Sequence, residues 1–187
     1  MSLQSWQETL VSAQGDGPQI LNSSSAATII PAAAKITLPN NYFNVGKVLR
    51  LTIAGGISCV NTTPGTLTLD LRLGAVIAFT SQAIPLNVTA KTNLPFHMQV
   101  LLTCRSIGAG TTATLMANGF FISETYVGAP APATGGAGAI IVPNTAPAVG
   151  TGFDSTAANT VDIFGKFSVT TATTQITLNQ YILEALN

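Results

Sequence analysis

The sequence predicts an all-β fold, an antiparallel β-sandwich or jelly roll of about eight to ten strands. From Gln19 onward, apolar and polar residues alternate with a period of two, whereas a helix would repeat every 3.6 residues. The clearest case is Thr66–Leu73, in which four leucines point one way and four polar side chains the other. Turn-forming clusters separate these segments, and no helical segment lies between them.

Ten segments carry the predicted strands. The strongest alternation is at residues 47–54, 66–73, 96–104, 160–169 and 174–183. Weaker strands are predicted at residues 28–30, 35–38, 57–60, 75–80 and 112–123. Clusters of Pro, Gly, Asn or Thr predict tight connections at residues 39–41, 54–56, 63–65, 92–93 and 108–110.

The chain begins with a segment of different character. Leu3, Trp6 and Leu10 have the i, i+3, i+7 spacing of a short amphipathic helical turn, and the breaker run 14–18 follows. We therefore divide the sequence into an N-terminal arm, residues 1–18, and a single jelly-roll domain, residues 19–187. The only Trp has a large apolar area to bury, which favours an arm that docks on a partner over a frayed terminus.

Residues 128–152 form a long Gly/Pro/Ala-rich stretch without a single charged residue, and they predict a long loop. Its apolar centre is Ile140, Ile141 and Val142. Two interpretations stand side by side: a flexible surface excursion, or an extended arm that adds a strand to a neighbouring edge. The candidate interface residues are therefore Leu3, Trp6, Leu10, Ile140, Ile141 and Val142.

Composition narrows the classes of partner. Only 7% of residues are charged and 47% are hydrophobic, so few long charged side chains need to be desolvated and immobilised in a contact. This favours a subunit of an assembly, with a neutral monomer as the alternative. Seven basic residues balance seven acidic ones and are scattered, which argues against nucleic acid and anionic membrane surfaces.

Two further absences shape the expected location. The sequence has no run of roughly 18 apolar residues, the length that a spanning helix needs. The N-terminus lacks the basic and apolar regions of a signal peptide, so synthesis in a cytoplasm without secretion is expected.

Chemically active groups are sparse. The only histidine, His97, lies on an alternating strand and is expected on its polar face, without a recognisable nucleophile and acid partner. Cys59 and Cys104 are expected to be free buried thiols, with a cross-strand disulfide as the open alternative. Asp70 and Arg72 predict a surface or interface charge pair. No catalytic, cofactor or metal site is predicted, and we expect a protein that is not an enzyme.

Three stretches resemble tailed-phage structural proteins with a tumour-necrosis-factor-like jelly roll. They are residues 45–58 with 62–74, residues 101–108, and residues 159–168 with 175–181 and Glu184. The resemblance covers roughly residues 42–187. It implies a head decoration or cement protein, or a knob of a fibre or tail, generally in a symmetric oligomer, and it carries over no catalytic residue.

The resulting expectation is a capsid decoration or cement protein. Its partners would be further copies of itself, as a homotrimer, and the major capsid protein or other virion proteins. It would be made in the cytoplasm of a bacterial host and lie on the outer head surface. The alternatives are a tail or fibre receptor-binding knob and, from a different class, an enzyme on a jelly-roll scaffold.

Overall fold

A computed structural model describes residues 7–60, 62–125 and 138–186 as two antiparallel sheets packed face to face, which confirms the all-β sandwich. The larger sheet contains β1 (Glu8–Ser12), β2 (Ile20–Leu21), β5 (Val48–Cys59), β9 (Lys91–Ser106), β10 (Thr114–Ser123), β11 (Gly138–Val142) and β13 (Gln175–Ala185). The smaller sheet contains β3 (Ala27–Thr28), β4 (Ile36–Leu38), β6 (Thr66–Leu73), β7 (Val76–Thr80), β8 (Ile84–Pro85) and β12 (Asn159–Phe167). A short 3-10 helix, Ala32–Ala34, precedes β4.

The strand order is that of a jelly roll. The larger sheet runs β1-β13-β5-β9-β10-β11 with β2 beside β13, and the smaller runs β3-β12-β6-β7 with β4 beside β12 and β8 beside β6. The chain passes from β4 in the smaller sheet to β5 in the larger and back to β6 in the smaller. It later passes from the larger sheet, which contains β9, to β12 in the smaller and returns to β13 in the larger. Such repeated crossing between two sheets is characteristic of jelly rolls. Strands β10 and β11 extend the larger sheet beyond β9.

The core lies between the inner faces of the two sheets. Leucines 67, 69, 71 and 73 of β6 are all buried, as the alternation predicts, and β5 supplies Leu49, Leu51 and Ile53 from the opposite sheet. Phe96 and Phe121, on the paired strands β9 and β10, stack at 5.7 Å between ring centroids. Each fully buried aliphatic or aromatic side chain of this kind stabilises the fold by about 1.5–3 kcal/mol.

Two predicted turns are wrong, because the strands run through them. β5 continues past Gly55 and Gly56, and β9 begins at Lys91 and includes Asn93. A Cβ at Gly55 would lie 2.1 Å from the carbonyl oxygen of Thr177, so this glycine serves the close approach of β5 and β13. Asn93 takes a positive φ of 47° within the strand. Gly and Asn therefore occur here at irregular positions inside paired strands, where the backbone approaches a neighbour closely or takes a positive φ.

The predicted helical turn is wrong at Leu10, which lies in β1. This strand pairs with β13, with Thr9 opposite Glu184, and a register shift follows between Thr9 and Val11. The irregularity accompanies the packing of both Leu10 and Val11 against the core. Residues 8–12 of the predicted arm are therefore an edge strand of the sandwich, while Leu3 and Trp6 lie outside the described residues.

The predicted long loop is wrong at Gly138–Val142, which form β11, whereas residues 143–152 lie outside the strands. Strand β11 pairs with β10 over five residues, from Gly119 opposite Val142 to Ser123 opposite Gly138, so it extends the chain's own sheet. Farther along, the backbone of Gly150 packs so closely that a Cβ would lie 1.9 Å from the Ala78 carbonyl oxygen. Residues 128–137 of the predicted loop lie outside the described residues.

Candidate functional site: the outer face of the larger sheet

The outer face of the larger sheet carries large apolar side chains. Alternation along β9 and β10 places Leu101 and Ile122 outside, because their neighbours along the strand are buried. Leu101 is 45% exposed, Ile122 43%, Ile141 61% and Ile182 38%. Within the described residues, nine large apolar side chains are exposed; five belong to strands of the larger sheet and none to strands of the smaller.

Strand register brings these side chains together. Phe120 lies opposite Ile141 on β11, and Ile122 lies opposite His97 on β9. The rings of His97 and Phe120 stack at 5.9 Å with an interplanar angle of 24°. Leu101 is two residues beyond Gln99, the partner of Phe120, which makes it a diagonal neighbour of that ring. We call these five residues, His97, Leu101, Phe120, Ile122 and Ile141, the apolar patch.

An open depression of about 610 Å³ borders the apolar patch, lined by Ala54, Pro95, Phe96, His97, Ile122, Ser123 and Glu124. Two of its polar groups are already engaged within the chain. The Ser123 hydroxyl donates to the Pro95 carbonyl at 3.1 Å, and the Glu124 carboxylate accepts from Lys91 Nζ at 3.4 Å. The depression therefore offers mainly apolar contact.

Two ion pairs lie on this face, Arg50 with Glu184 and Lys91 with Glu124, and the exposed Arg105 of β9 belongs to no ion pair among the described residues. Arg50 Nε donates to Glu184 Oε2 at 2.7 Å, and Gln7 Nε2 donates to the other oxygen of that carboxylate at 2.6 Å. The hydrogen bond from Arg50 is the main cause that lowers the pKa of Glu184 below its usual value. On β5 and its two neighbouring strands, the outward residues between Arg50 at one end and Lys91 at the other include uncharged side chains, Thr52, Ala54, Gln99 and Gln180.

The smaller sheet presents a contrasting outer face. Its side chains form ion pairs, Lys35 with Asp162 and Arg72 with Asp70, the latter at 3.8 Å. The Arg72 guanidinium also lies 3.8 Å from the ring centroid of Phe164. Asp70 is only 5% exposed, which corrects the prediction of a surface pair: it lies between the neighbouring strands, opposite Phe164. Each of the two outer faces thus carries two ion pairs, and among the described strands only those of the larger sheet also expose large apolar side chains.

His97 lies on the outer face, in register between Ala54 of β5 and Ile122 of β10, so neither neighbour is a nucleophile or an acid. Among the described residues, no group of three or more His, Cys, Asp or Glu side chains could hold a metal ion. Cys59 and Cys104 are buried and free, as predicted, and burial raises the pKa of both thiols. The described part of the chain contains no helix with the length and apolar character of a transmembrane span.

Comparison with known proteins finds no family model and no curated protein that matches the sequence. Among solved structures, the chain is similar to the CBM2 module of the evolved Dit of Lactobacillus casei BL23 phage J-1, with 8% identity over 99% of each chain and a TM-score of 0.38. It is also similar to a fructofuranosidase from Schwanniomyces occidentalis complexed with fructose, with 9% identity over 96% of this chain and 34% of the other, and a TM-score of 0.26. At these TM-scores neither similarity bears on function.

The structure distributes the six predicted interface residues over different environments. Ile141 belongs to the apolar patch, Ile140 is partly buried against the core, and Val142 is fully buried in it. Leu10 packs on the core, and Leu3 and Trp6 lie outside the described residues. A contact role for Ile141 stays a prediction, whereas the side chain of Val142 is not available at the surface.

Sequence reasoning missed Leu101, Phe120 and Ile122, because alternation was used only to find the buried face of each strand. A signal was present. The unbroken apolar runs at residues 100–102 and 120–122 interrupt the polar positions expected on a solvated face. Such a run within an alternating strand indicates that both faces of the sheet are apolar there.

Proposed function

We propose that this chain is a structural protein of a tailed-phage virion that decorates and cements the capsid shell through protein–protein contacts. The observation that carries the proposal is the apolar patch, which lies on β9, β10 and β11 at one side of the outer face of the larger sheet. Contiguous exposed apolar surface is costly on a solvated protein and is characteristic of interaction sites. Aromatic residues at the core of such a patch with uncharged polar neighbours match the anatomy of protein interfaces.

Composition and resemblance support the same proposal. With 7% charged residues, the surface has few long charged side chains to desolvate in an extensive contact. The resemblance of residues 42–187 to phage jelly-roll subunits agrees with the strand order of the two sheets. The protein is not an enzyme in this proposal, because the single histidine stacks on Phe120 and has apolar neighbours in register.

The proposed assembly is a closed homo-oligomer, a trimer, on the outer surface of the head, where it contacts the major capsid protein. A closed ring satisfies every copy of a head-to-tail contact, whereas an open arrangement would polymerise. Such a subunit is made in the cytoplasm of the bacterial host and needs no cofactor. The alternative role is a receptor-binding knob of the tail or of a fibre of the same particle.

The copy number in purified virions tests the proposal. The band of this chain is quantified against the major capsid protein and against a tail-tube protein by denaturing electrophoresis and mass spectrometry. A copy number comparable with that of the capsid protein supports decoration of the shell. A number comparable with a tail-tip component supports the knob instead, and absence of the chain from virions rejects a structural role.

A further inference from the structure

Strand β11 is the outermost strand of the larger sheet, and among the described residues only one of its two edges is paired, the edge that faces β10. We infer that the other edge, at Ala139 and Ile141, binds an extended, uncharged segment of another protein, which joins the larger sheet as an additional strand. We call this unpaired side of β11 the open edge.

One hydrogen bond fixes which backbone groups of β11 point to the open edge. The N–H of Gly150 donates to the Leu115 carbonyl at 2.9 Å, so the backbone groups of Leu115 point away from β9, towards the side on which β11 lies. The odd-numbered residues of β10 that follow, up to Ser123, point the same way, because no register shift occurs after Leu115. Their partners on β11 are residues 138, 140 and 142. Ala139 and Ile141 therefore direct their N–H and C=O groups to the open edge.

These four backbone groups specify the partner. Among the described residues, no backbone hydrogen bond joins β11 to any segment other than β10. Ala139 and Ile141 are both exposed, so their donors and acceptors are accessible. A row of alternating N–H and C=O groups along a strand is satisfied by the backbone of a second extended chain, which is the way that sheet edges bind peptides.

The open edge lacks the protection that the other sheet edges have. β1 is interrupted by a register shift between Thr9 and Val11, and β2, β3, β4 and β8 have at most three residues each. Beside β7, the N–H of Asn144 donates to the Ser81 carbonyl at 2.9 Å, so the chain after β11 covers that side. Short strands, bulges, charges, prolines and covering loops are the usual protection against strand addition. β11 has five residues in regular register without a charge or a proline.

The side chains beside the open edge favour an uncharged partner. Ile141 is 61% exposed on the outer face, where it lies opposite Phe120 of the apolar patch. Ile140, on the inner face, packs partly buried against the core. An added strand places its own side chains beside both, so a charged one would lose hydration there without an opposite charge on β11. Uncharged β-branched residues bury apolar area instead and extend the apolar patch by one strand.

A second copy of this chain is a poorer partner than another protein. The register shift and Glu8 of β1 disfavour regular pairing with that edge, which leaves β11 itself as the matching strand of a second copy. Pairing of β11 with β11 is isologous and closes after two copies, whereas the proposed trimer needs a head-to-tail contact. The choice of another protein thus rests on the proposed function, while the open edge itself does not.

Nuclear magnetic resonance on the full-length chain tests the open edge, with a capped seven-residue peptide of alternating Thr and Val as the probe. We expect fast amide exchange at Ala139 and Ile141 without peptide, slowed at least tenfold by saturating peptide. The amides of Ile140 and Val142 should be protected in both samples, because they face β10. The same peptide N-methylated at every residue is the control and should have no effect. Unchanged exchange at Ala139 and Ile141 with the probe, or equal slowing by the N-methylated peptide, overturns the inference.

A matched pair of variants checks the assignment to Ala139. Ala139→Pro removes an N–H from the open edge, and proline is tolerated on edge strands, whereas Ala139→Ser keeps the N–H at the same position. We expect the dissociation constant of the peptide to rise at least about fivefold for Ala139→Pro, as loss of one hydrogen bond implies, and to stay within about twofold for Ala139→Ser. Circular dichroism and thermal unfolding establish that both are folded. Equal affinity of the two folded variants overturns the assignment, and the N-methylated peptide provides the test if Ala139→Pro does not fold.

Light scattering on the wild type and both variants identifies the source of the added strand. An oligomer that dissociates in Ala139→Pro but not in Ala139→Ser shows that a second copy occupies the open edge, and overturns the assignment to another protein. An unchanged mass in both variants supports it. Failure of this inference is distinguishable from failure of the proposed function: peptide binding with absence of the chain from purified virions rejects only the virion role, and presence in virions without peptide binding rejects only the open edge.

Discussion

The Arg50 guanidinium donates through Nε to Glu184 Oε2 at 2.7 Å, linking β5 to β13 on the outer face of the larger sheet. The side chain of Glu184 is only 12% exposed and that of Arg50 30%. Gln7 adds a second hydrogen bond to the carboxylate, which ties the residue before β1 to β13. The ionised form of Glu184 is thus stabilised by the fold, and its pKa lies below the usual value.

Acid destabilisation should depend on Glu184. Because its pKa is lower in the folded chain than the value of about 4.3 in an unfolded one, it contributes stability above that value, and the contribution is lost as the pH falls through the folded pKa. Glu184→Gln should lower the urea midpoint at pH 7 and flatten its decline between pH 5 and pH 3. Parallel pH profiles for the wild type and the variant would contradict this.

The loss of stability at alkaline pH should depend on Tyr181. It is buried in the core, and burial, followed by the negative charge of Asp162, raises the pKa of its phenol well above the usual value. Since the folded pKa is the higher one, stability is constant below the unfolded pKa of about 10 and declines as the pH rises above it. Urea midpoints between pH 8 and pH 11 should fall for the wild type and fall less for Tyr181→Phe.

The same substitution has a defined effect at neutral pH. The hydroxyl of Tyr181 is buried without a hydrogen-bond partner from the described residues, so its removal breaks no bond within the fold. We expect Tyr181→Phe to change the free energy of unfolding at pH 7 by less than about 1 kcal/mol in either direction, whereas loss of a partner from a buried group costs about 1–3 kcal/mol. A loss in that larger range would show that the hydroxyl has a bonding role.

Periodicity predicted the strands well and their ends poorly. β6 was predicted with its observed bounds, because Thr66–Leu73 alternates without interruption and its leucines all reach the core. Where Gly or Asn stood inside a strand, the sequence could not distinguish a turn from a close approach of two backbones. Gly55 illustrates this, because the group that leaves no room for a side chain there, the Thr177 carbonyl, lies on a strand more than a hundred residues away in sequence.

The candidate site was less accessible from sequence, because it depends on which residues lie side by side on different strands. Phe120 and Ile141 are opposite each other only because β11 joins the edge at β10, and residues 138–142 look like the middle of a flexible Gly- and Pro-rich loop. The difference in exposed apolar side chains between the two outer faces likewise depends on which strands belong to which sheet. Composition predicted a surface for protein contact, and the register located the apolar patch on it.

The two thiols should remain unpaired within a chain. Cys59 lies beside Lys91 at one end of β9, and Cys104 lies thirteen residues farther along that strand. At a rise of roughly 3.3 Å per residue, they are separated by roughly 40 Å, whereas a disulfide needs Cα atoms within about 7 Å. The cross-strand disulfide is therefore excluded for this fold.

Thiol reactivity checks this. Both thiols are buried and their pKa values are raised by burial, so the reactive thiolate is scarce. Ellman's reagent at pH 8 should label the native chain slowly and label two thiols per chain at once in denaturant, with the same result with or without prior reduction. Fast labelling of the native chain, or fewer than two thiols without reduction, would contradict the assignment.

Gly119 should be a position where even one methyl group disturbs the fold and the patch together. It lies on β10 directly before Phe120, and a Cβ there would be 2.0 Å from the Gln99 carbonyl oxygen and 2.7 Å from Val100 Cα. Both contacts are backbone atoms of β9, so they cannot be relieved by a change of rotamer. Forcing the two strands apart should cost about 1–3 kcal/mol or more, as overpacking does in cores.

Gly15→Ala provides the matched control, because a Cβ at Gly15 would meet nothing within 4 Å. Urea unfolding should show the loss for Gly119→Ala and a change within about 0.5 kcal/mol for Gly15→Ala. The Gly119→Ala variant should also unfold at a temperature lower by roughly 2–12 °C, since 1 kcal/mol corresponds to about 2–4 °C in a domain of this size. Equal stability of the two variants would mean that β9 and β10 are farther apart at Gly119 than the structure places them.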